Sequence, residues 1–120
     1  MRVFSSGATR DDDSEKIDYE GFISPEVWHA YSLYMHKHRI QSDGSLRSSD
    51  NWKKGIPRSE LIKSLLRHIM DLWRLSNGEQ VIRPETNEAV TWTDALGGCL
   101  FNLQAIWYTN INEKRESVHD

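Results

Sequence analysis

The sequence predicts a small, all-α dominated domain of three main helices with a short β-hairpin insertion. Its 120 residues are 38% hydrophobic, which is enough to bury one modest core but not two. Apolar side chains recur at helical spacing in three segments, and a fourth segment holds two short apolar pairs around a turn. Because so few elements bury limited area, we expect the chain to form a homo-oligomer.

The first helix follows a polar N-terminal segment. Ser24 is a preferred N-cap residue, and Pro25 suits the first helical position, so the helix should begin there and run to about Arg39. Its apolar face comprises Val27, Tyr31, Tyr34, Met35 and His38. Residues 1–20 contain the acidic run at 11–13 and lack periodicity, which predicts a flexible arm.

The second helix shows the clearest amphipathic pattern. It should open near Pro57 and end near Gly78, which can adopt the left-handed conformation that closes a helix. Its predicted apolar face comprises Ile62, Leu65, Leu66, Ile69, Met70 and Trp73. At about 100° per residue, the opposite face comprises Glu60, Ser64, Arg67, His68, Asp71 and Arg74.

A hairpin and a third helix complete the domain, which should span residues 21–112. The apolar pairs at 81–82 and 89–90 flank a turn at 84–87, which predicts the hairpin. Thr91 or Thr93 can then cap a helix that continues to about Tyr108. Apolar residues occupy most sides of this helix, so we expect other elements to surround it. Residues 113–120 form a charged tail that should fray.

The connection between the first two helices is unusually long and basic. From His36 to Arg58 the formal charge is +4, whereas the rest of the chain carries −7. The acidic body disfavours duplex nucleic acid and favours a small anion held locally. Arginine, lysine and hydrogen-bonding side chains suit phosphate, and tryptophan can stack on a base. The candidate ligand-binding residues here are Arg47, Asp50, Asn51, Trp52 and Lys53. Alternatively, the tryptophan anchors the loop to the core.

Two groups of residues on the predicted helices are candidates for catalysis or ligand binding. Arg67, His68 and Asp71 lie within one turn, where they could neutralise phosphate, exchange protons or ligate a metal. They could equally form a solvated face with an ordinary ion pair. Asp94 and Asn102 lie on one stripe with Gly98 between them, and could hold a metal or a donor-rich ligand edge. The alternative is a capping acid and a close helix crossing, although a buried amide would still need partners.

The remaining features bear on location. The lone Cys99 excludes an internal disulfide, and its apolar surroundings indicate a small buried side chain. The N-terminal residues lack the apolar stretch of a signal peptide, and no segment approaches the length of a membrane span. We therefore expect a cytoplasmic protein that does not enter membranes.

Six blocks, in order along the chain, resemble a family of small phage proteins described as dATP/dGTP diphosphohydrolase-like, related to the helical MazG-type nucleotide pyrophosphohydrolases. The blocks are SSGATRD (5–11), KIDYEGFISP (16–25), YMHKHR (34–39), DGSLRSSDNWKKGIP (43–57), SLLRHIMDLW (64–73) and DALGGCLFN (94–102). The resemblance implies a helical domain that acts on purine deoxynucleotides with a divalent cation, in the cytoplasm of infected bacteria. It gives weight to Arg10, Asp50, Asn51, Trp52, Arg67, His68, Asp71, Asp94 and Asn102.

One feature departs from the MazG-type pattern. Those enzymes hold Mg²⁺ with ExxE and ExxD pairs on adjacent helices, whereas the only ExxE here, Glu85 to Glu88, falls in the predicted hairpin. The second helix offers His68 and Asp71 in that place.

Three functional hypotheses follow. In the first, Asp71 and Asp94 bind Mg²⁺ or Mn²⁺, His68 completes the catalytic set, and arginines including Arg47 neutralise charge during conversion of a dNTP to dNMP and pyrophosphate. In the second, the same scaffold is a non-catalytic sponge that sequesters a nucleotide second messenger of host antiphage defence. In the third, the aromatic residues form a protein-interaction module.

Overall fold

The computed structural model describes residues 2–10 and 15–119 and confirms a mostly helical fold with a small hairpin. The elements are β1 (Arg2–Val3), β2 (Thr9–Arg10), α1 (Tyr19–Phe22), α2 (Pro25–Lys37), α3 (Arg58–Ser76) and α4 (Trp92–His119). The acidic run at 11–13 and the last residue of the charged tail lie outside the described residues.

Helices α2 and α3 begin and end where their capping residues predict. The side chain of Ser24 accepts a hydrogen bond from the backbone N–H of Val27 at 3.3 Å, and Pro25 occupies the first position of α2. Helix α3 ends at Ser76, and Gly78 has a φ of 83°. A residue with a Cβ would be strained in that conformation, so glycine suits this helix end.

Helix α4 opens with a reciprocal cap and is longer than expected. The Asp94 backbone N–H donates to the Thr91 hydroxyl at 3.1 Å, and the Thr91 N–H donates to the Asp94 carboxylate at 3.0 Å. Thr91 is therefore the cap rather than Thr93. The helix runs to His119 rather than Tyr108, because no glycine or proline interrupts the charged segment after it. The predicted helix end near Tyr108 was therefore wrong.

The regular hairpin lies in the N-terminal segment, where the sequence predicted a flexible arm. β1 and β2 pair antiparallel, with Arg2 opposite Arg10 and Val3 opposite Thr9. Strands of two residues are too short to show an alternating pattern, so periodicity could not reveal them.

The predicted hairpin at 81–90 is present as a turn with a single bridge. Ile82 pairs with Ala89, and the Val90 N–H donates to the Val81 carbonyl at 2.8 Å. Asn87 takes a left-handed φ of 59° in the turn, a conformation that asparagine tolerates better than most residues.

Helices α2 and α3 both pack against α4. Two adjacent glycines make this close approach possible. A Cβ at Gly97 would overlap the Tyr34 ring of α2, and a Cβ at Gly98 would overlap the His68 ring of α3. Below them, a small cluster of buried residues, Val81, Val90 and Ala95, packs against leucines of α3.

The helix faces differ from the predicted ones. The buried inner face of α4 consists of Ala95, Gly98, Asn102 and Ala105, and the inner face of α3 consists of Leu61, Ser64, His68, Leu72 and Leu75. The outer face of α3, comprising Ile62, Leu66, Ile69, Met70 and Trp73, is 40% to 61% exposed. The outer face of α4, comprising Trp92, Leu96, Leu103 and Trp107, is 49% to 70% exposed.

The expectation that other elements surround α4 was therefore wrong within one chain, and the predicted apolar face of α3 is largely exposed. Periodicity shows which residues share a helix face, but not what covers that face.

None of the helices in the described ranges combines the length and apolar character needed to cross a membrane.

Candidate functional site

A pocket of about 690 Å³ opens between α2, α3, α4 and the connection from residue 38 to 57. This volume is within the range of about 300–1,000 Å³ typical of small-molecule sites. Both the long basic connection and the polar stripe of α4 line it. The pocket is therefore the place where the separate sequence signals meet.

The basic connection has more internal structure than a long loop suggests. The Arg47 N–H donates to the Arg39 carbonyl at 2.7 Å, and the Arg39 Nε donates back to the Arg47 carbonyl at 2.8 Å. Asp43 accepts hydrogen bonds from both the backbone and the hydroxyl of Ser45, which closes the turn beyond Gly44. These bonds fix the chain so that both arginines border the pocket.

A short 3₁₀ helix, Asn51–Lys54, attaches the rest of the connection to α4. The Trp52 ring meets Phe101 edge-on at 6.2 Å and Tyr108 at 5.1 Å between centroids. The Lys53 ammonium lies 5.7 Å above the Trp52 ring. The tryptophan thus makes the anchoring contacts weighed in the sequence while also lining the pocket.

The charge of the pocket lining is predominantly positive. Arg39, Arg47 and Arg83 line it together with a single carboxylate, that of Asp94. This carboxylate already binds the Lys37 ammonium at 2.6 Å. The side chain of Arg83 has no hydrogen bond or ion pair with any residue in the described part of the chain. A half-buried guanidinium without an acidic partner suits an anionic ligand.

Arg83 is a residue that sequence reasoning missed. It belongs to the 81–90 segment, which the sequence marked only as a hairpin, and no motif distinguishes it from a surface arginine. Its position follows from the tertiary fold, which places it beside His68 and Tyr34.

Asn102 is the most deeply buried polar residue of the pocket, with 2% of its surface exposed. Its amide nitrogen donates to the Gly98 carbonyl at 2.7 Å and to the Ser64 hydroxyl at 3.1 Å. Only the nitrogen can donate to a carbonyl, so the side-chain oxygen must point elsewhere. That oxygen is buried and finds no hydrogen-bond donor among the described residues. A buried acceptor of this kind is unusual in a folded protein.

His68 contributes a second unpaired buried atom, its Nδ1. Burial lowers the pKa of His68, the positive charge of Arg83 lowers it further, and the nearby Asp71 carboxylate acts in the opposite direction. The net lowering favours a neutral imidazole at pH 7. A neutral ring offers one nitrogen as an acceptor, which an imidazolium does not.

Aromatic side chains of α2 form another wall. Burial raises the pKa of Tyr31 to about 12 and raises that of Tyr34 as well. Both hydroxyls therefore remain protonated and can donate a hydrogen bond at neutral pH. The sequence placed these tyrosines on the apolar face of the first helix, and they line the pocket.

Only one of the two predicted metal ligands, Asp94, lines the pocket. One oxygen of Asp94 accepts from Lys37 and the other from the Thr91 N–H. Burial tends to raise the pKa of Asp94, but these hydrogen bonds outweigh it and lower the pKa. Asp71 does not line the pocket, and no three His, Cys, Asp or Glu side chains within the described ranges could jointly hold an ion. The carboxylate thus behaves as a capping and ion-paired group.

The pocket brings together six of the residues proposed from sequence: Arg47, Asn51, Trp52, His68, Asp94 and Asn102. The other five, Arg10, Asp50, Lys53, Arg67 and Asp71, do not line it. Arg10 belongs to β2 in the N-terminal hairpin, and the Asp50 carboxylate accepts from the Ser48 hydroxyl.

Comparisons of the chain with models of protein families, with curated proteins and with solved structures returned no match.

Proposed function

We propose that this protein binds a nucleotide in the pocket between its three long helices. The observation that carries the proposal is the convergence of Arg39, Arg47 and Arg83 on a pocket whose lining carboxylate is already paired with a lysine. Three guanidinium groups from two separate segments supply a planar, permanently charged donor set for phosphate oxygens.

The remaining residues of the pocket lining suit a base. The unpaired oxygen of Asn102 calls for a ligand donor, such as an exocyclic amino group or a ring N–H. Tyr31 and Tyr34 offer aromatic surface for a planar ring. The family resemblance makes a purine deoxynucleotide the first candidate.

The direct test is calorimetric titration of the purified protein with a panel of deoxynucleoside and ribonucleoside phosphates. Replacement of Arg83 by Gln removes one phosphate contact, and charge-assisted hydrogen bonds are worth about 1.5–3 kcal/mol, so affinity should fall by roughly 10- to 100-fold. Arg115→Gln is the matched control, because this arginine is exposed on α4 and does not line the pocket. Equal effects of the two variants, or no binding by the parent protein, would contradict the proposal.

A second candidate, hydrolysis of the bound nucleotide, is favoured by His68. A neutral imidazole that lines a ligand pocket can act as a general base toward water. We propose a dNTP diphosphohydrolase that releases dNMP and pyrophosphate as the form of this activity. Any Mg²⁺ or Mn²⁺ requirement should be measured directly, because no three His, Cys, Asp or Glu side chains in the described ranges could jointly hold an ion.

Product analysis separates hydrolysis from simple binding. Incubation of each dNTP with and without Mn²⁺ should yield dNMP if the enzyme proposal holds, and His68→Gln should abolish turnover while retaining binding. Binding without turnover, with intact nucleotide recovered from the boiled protein, supports the alternative of a sponge for a nucleotide second messenger. In either case we propose a homo-oligomer that acts in the cytoplasm of a phage-infected bacterium.

A further inference from the structure

We propose that the outer face of α3 is the surface on which a second copy of this chain packs. The face consists of Ile62, Leu66, Ile69, Met70 and Trp73. It lies on the side of α3 opposite the pocket, so the inference does not depend on the ligand.

The isolated chain exposes far more surface than a compact protein of its mass. Its accessible area is 9686 Å², whereas about 6,700 Å² is expected for 14.0 kDa. Its radius of gyration is 19.7 Å, against roughly 14 Å for a compact domain of this length. One chain therefore leaves about 3,000 Å² in excess of what a self-contained fold would expose.

The excess reflects a core that one chain does not complete. The buried hydrophobic residues in the described part of the chain are few and mostly small: Tyr34, Leu61, Val81, Val90, Ala95 and Ala105. The larger apolar side chains of α3 and α4 lie outside this core. Obligate homodimer interfaces resemble a domain core cut in half, and the same description fits this chain.

The outer face of α3 has the geometry of a helix-packing seam. Its members recur at i, i+4, i+7, i+8 and i+11, so they form one stripe about 17 Å long on a straight helix. A stripe of this kind can pair with itself in an antiparallel arrangement about a two-fold axis. In that arrangement the central residues, Leu66 and Ile69, lie close to their own counterparts.

The size of the excess accessible area indicates that the partner on this face is permanent. Obligate homodimers bury about 2,000–5,000 Å² in total, or roughly 1,000–2,500 Å² per chain, whereas transient partners cover less. The excess of about 3,000 Å² on one chain is above this per-chain range, so a transient interface would leave most of it exposed. A chain whose core is completed by a partner needs that partner as soon as the chain is synthesised. A second copy of the same chain is available at that moment. The outer face of α4 offers further apolar area to the same assembly.

The test begins with the mass of the full chain by sedimentation velocity and light scattering at micromolar concentration. The parent protein should have at least twice the 14.0 kDa mass of one chain. The double variant Leu66→Glu, Ile69→Glu places charges on the seam and should shift the mass to that of a single chain. Lys63→Glu is the control, because it adds a carboxylate to an exposed site beside the seam on the same helix and should leave the mass unchanged.

A second measurement covers the case in which the double variant fails to fold. In a Cys99→Ser background, Leu66→Cys should form a disulfide-linked dimer under mild oxidation, whereas Lys114→Cys at an exposed site of α4 should not. A monomeric parent protein would overturn the proposal. It would also be overturned by an oligomer that survives the glutamates while Leu66→Cys fails to cross-link, because assembly would then use another face.

Discussion

Helices α3 and α4 each have an inner face, where they meet, and an outer face. Their largest apolar side chains lie on the outer faces, unlike in most helical proteins. The inner faces, where the helices meet, carry small or polar residues such as Gly98, Ser64 and Asn102. The outer faces carry large apolar residues, including Trp73 and Trp107, which are 61% and 70% exposed. Within one chain the inner faces therefore combine leucines with small and polar residues, whereas the largest apolar side chains of both helices are open.

This difference indicates that the two faces serve separate tasks. Small side chains let the helices approach and leave a pocket lined by amide, imidazole and guanidinium groups. Apolar bulk is kept for the surface on which we propose that a second copy packs. The apolar residues on most sides of α4 predicted from the sequence that other elements surround it, and this expectation was wrong.

The largest expected effect tests whether the inner face tolerates a charge. Asn102→Asp replaces a donor to the Gly98 carbonyl with a buried carboxylate, so the free energy of unfolding should fall by about 3 kcal/mol or more. Asn112 provides a matched control, because its amide makes the same bond to the carbonyl four residues back, that of Tyr108, at a more open site.

Asn112→Asp should cost less than about 1 kcal/mol because water can solvate the new charge. Denaturant unfolding at one fixed protein concentration measures both variants. Similar losses at the two positions would remove the distinction between a buried, polar inner face and the rest of α4.

The next effect tests the close approach of α3 to α4. Gly98→Ala adds a methyl group where the His68 ring lies, and overpacking costs about 1–3 kcal/mol, partly offset by up to about 1 kcal/mol of better helix propensity. We expect a net loss of about 1 kcal/mol in the free energy of unfolding.

A double-mutant cycle isolates the cause of that loss. In a His68→Ala background the ring is absent, so Gly98→Ala should become neutral or stabilising by up to about 1 kcal/mol. If the loss persists without the ring, the methyl group conflicts with something other than His68.

The sequence predicted where α2 and α3 begin and end, but it did not predict what covers the faces of the helices. Ser24, Pro25 and Gly78 encode local backbone geometry, so they predicted the ends of α2 and α3 closely. The outer apolar stripe of α3 was recognised as a stripe, but its partner depends on packing that one chain does not contain.

The pocket could be predicted only in part, because the patterns that form it are separate in the sequence. The stripe of Asp94, Gly98 and Asn102 and the basic connection could be read as separate patterns, and the fold brings them together. Arg83 could not be found because only tertiary structure carries it to the pocket. Asp71 and Asp94 were proposed as metal ligands. The sequence did not show that Lys37 would form an ion pair with Asp94.

A smaller effect is expected when two ion pairs are compared, one on the inner side of the helices and one on their open side. Lys37 binds Asp94 at 2.6 Å, and the carboxylate side chain is only 16% exposed. Lys37→Gln should lower the free energy of unfolding by about 1 kcal/mol, near the upper end for pairs open to solvent on one side. Lys63→Gln, which removes an exposed contact of 3.9 Å to Glu60, should cause no measurable loss. Equal losses would mean that burial of Asp94 contributes nothing.

The smallest effect concerns pH and the imidazoles of the inner side. Burial lowers the pKa of His68 in the folded chain, helped by Arg83 and Arg67 and by His38, and opposed by Asp71. Burial and Lys37 lower the pKa of His38 in the same direction. The unfolded chain therefore binds these protons more readily than the folded chain. The stabilisation is complete above the unfolded pKa of about 6.5 and is lost as the pH falls toward the folded values.

Denaturant unfolding at pH 7.5, 6.5 and 5.5 should show the free energy of unfolding falling at each step. His68→Gln should reduce the slope, and His38→Gln added to it should reduce the slope further, because each removes one group that gains a proton on unfolding. A slope unchanged by both substitutions would place the acid sensitivity elsewhere, and the inner face would then be polar without being a site of pH-dependent stability.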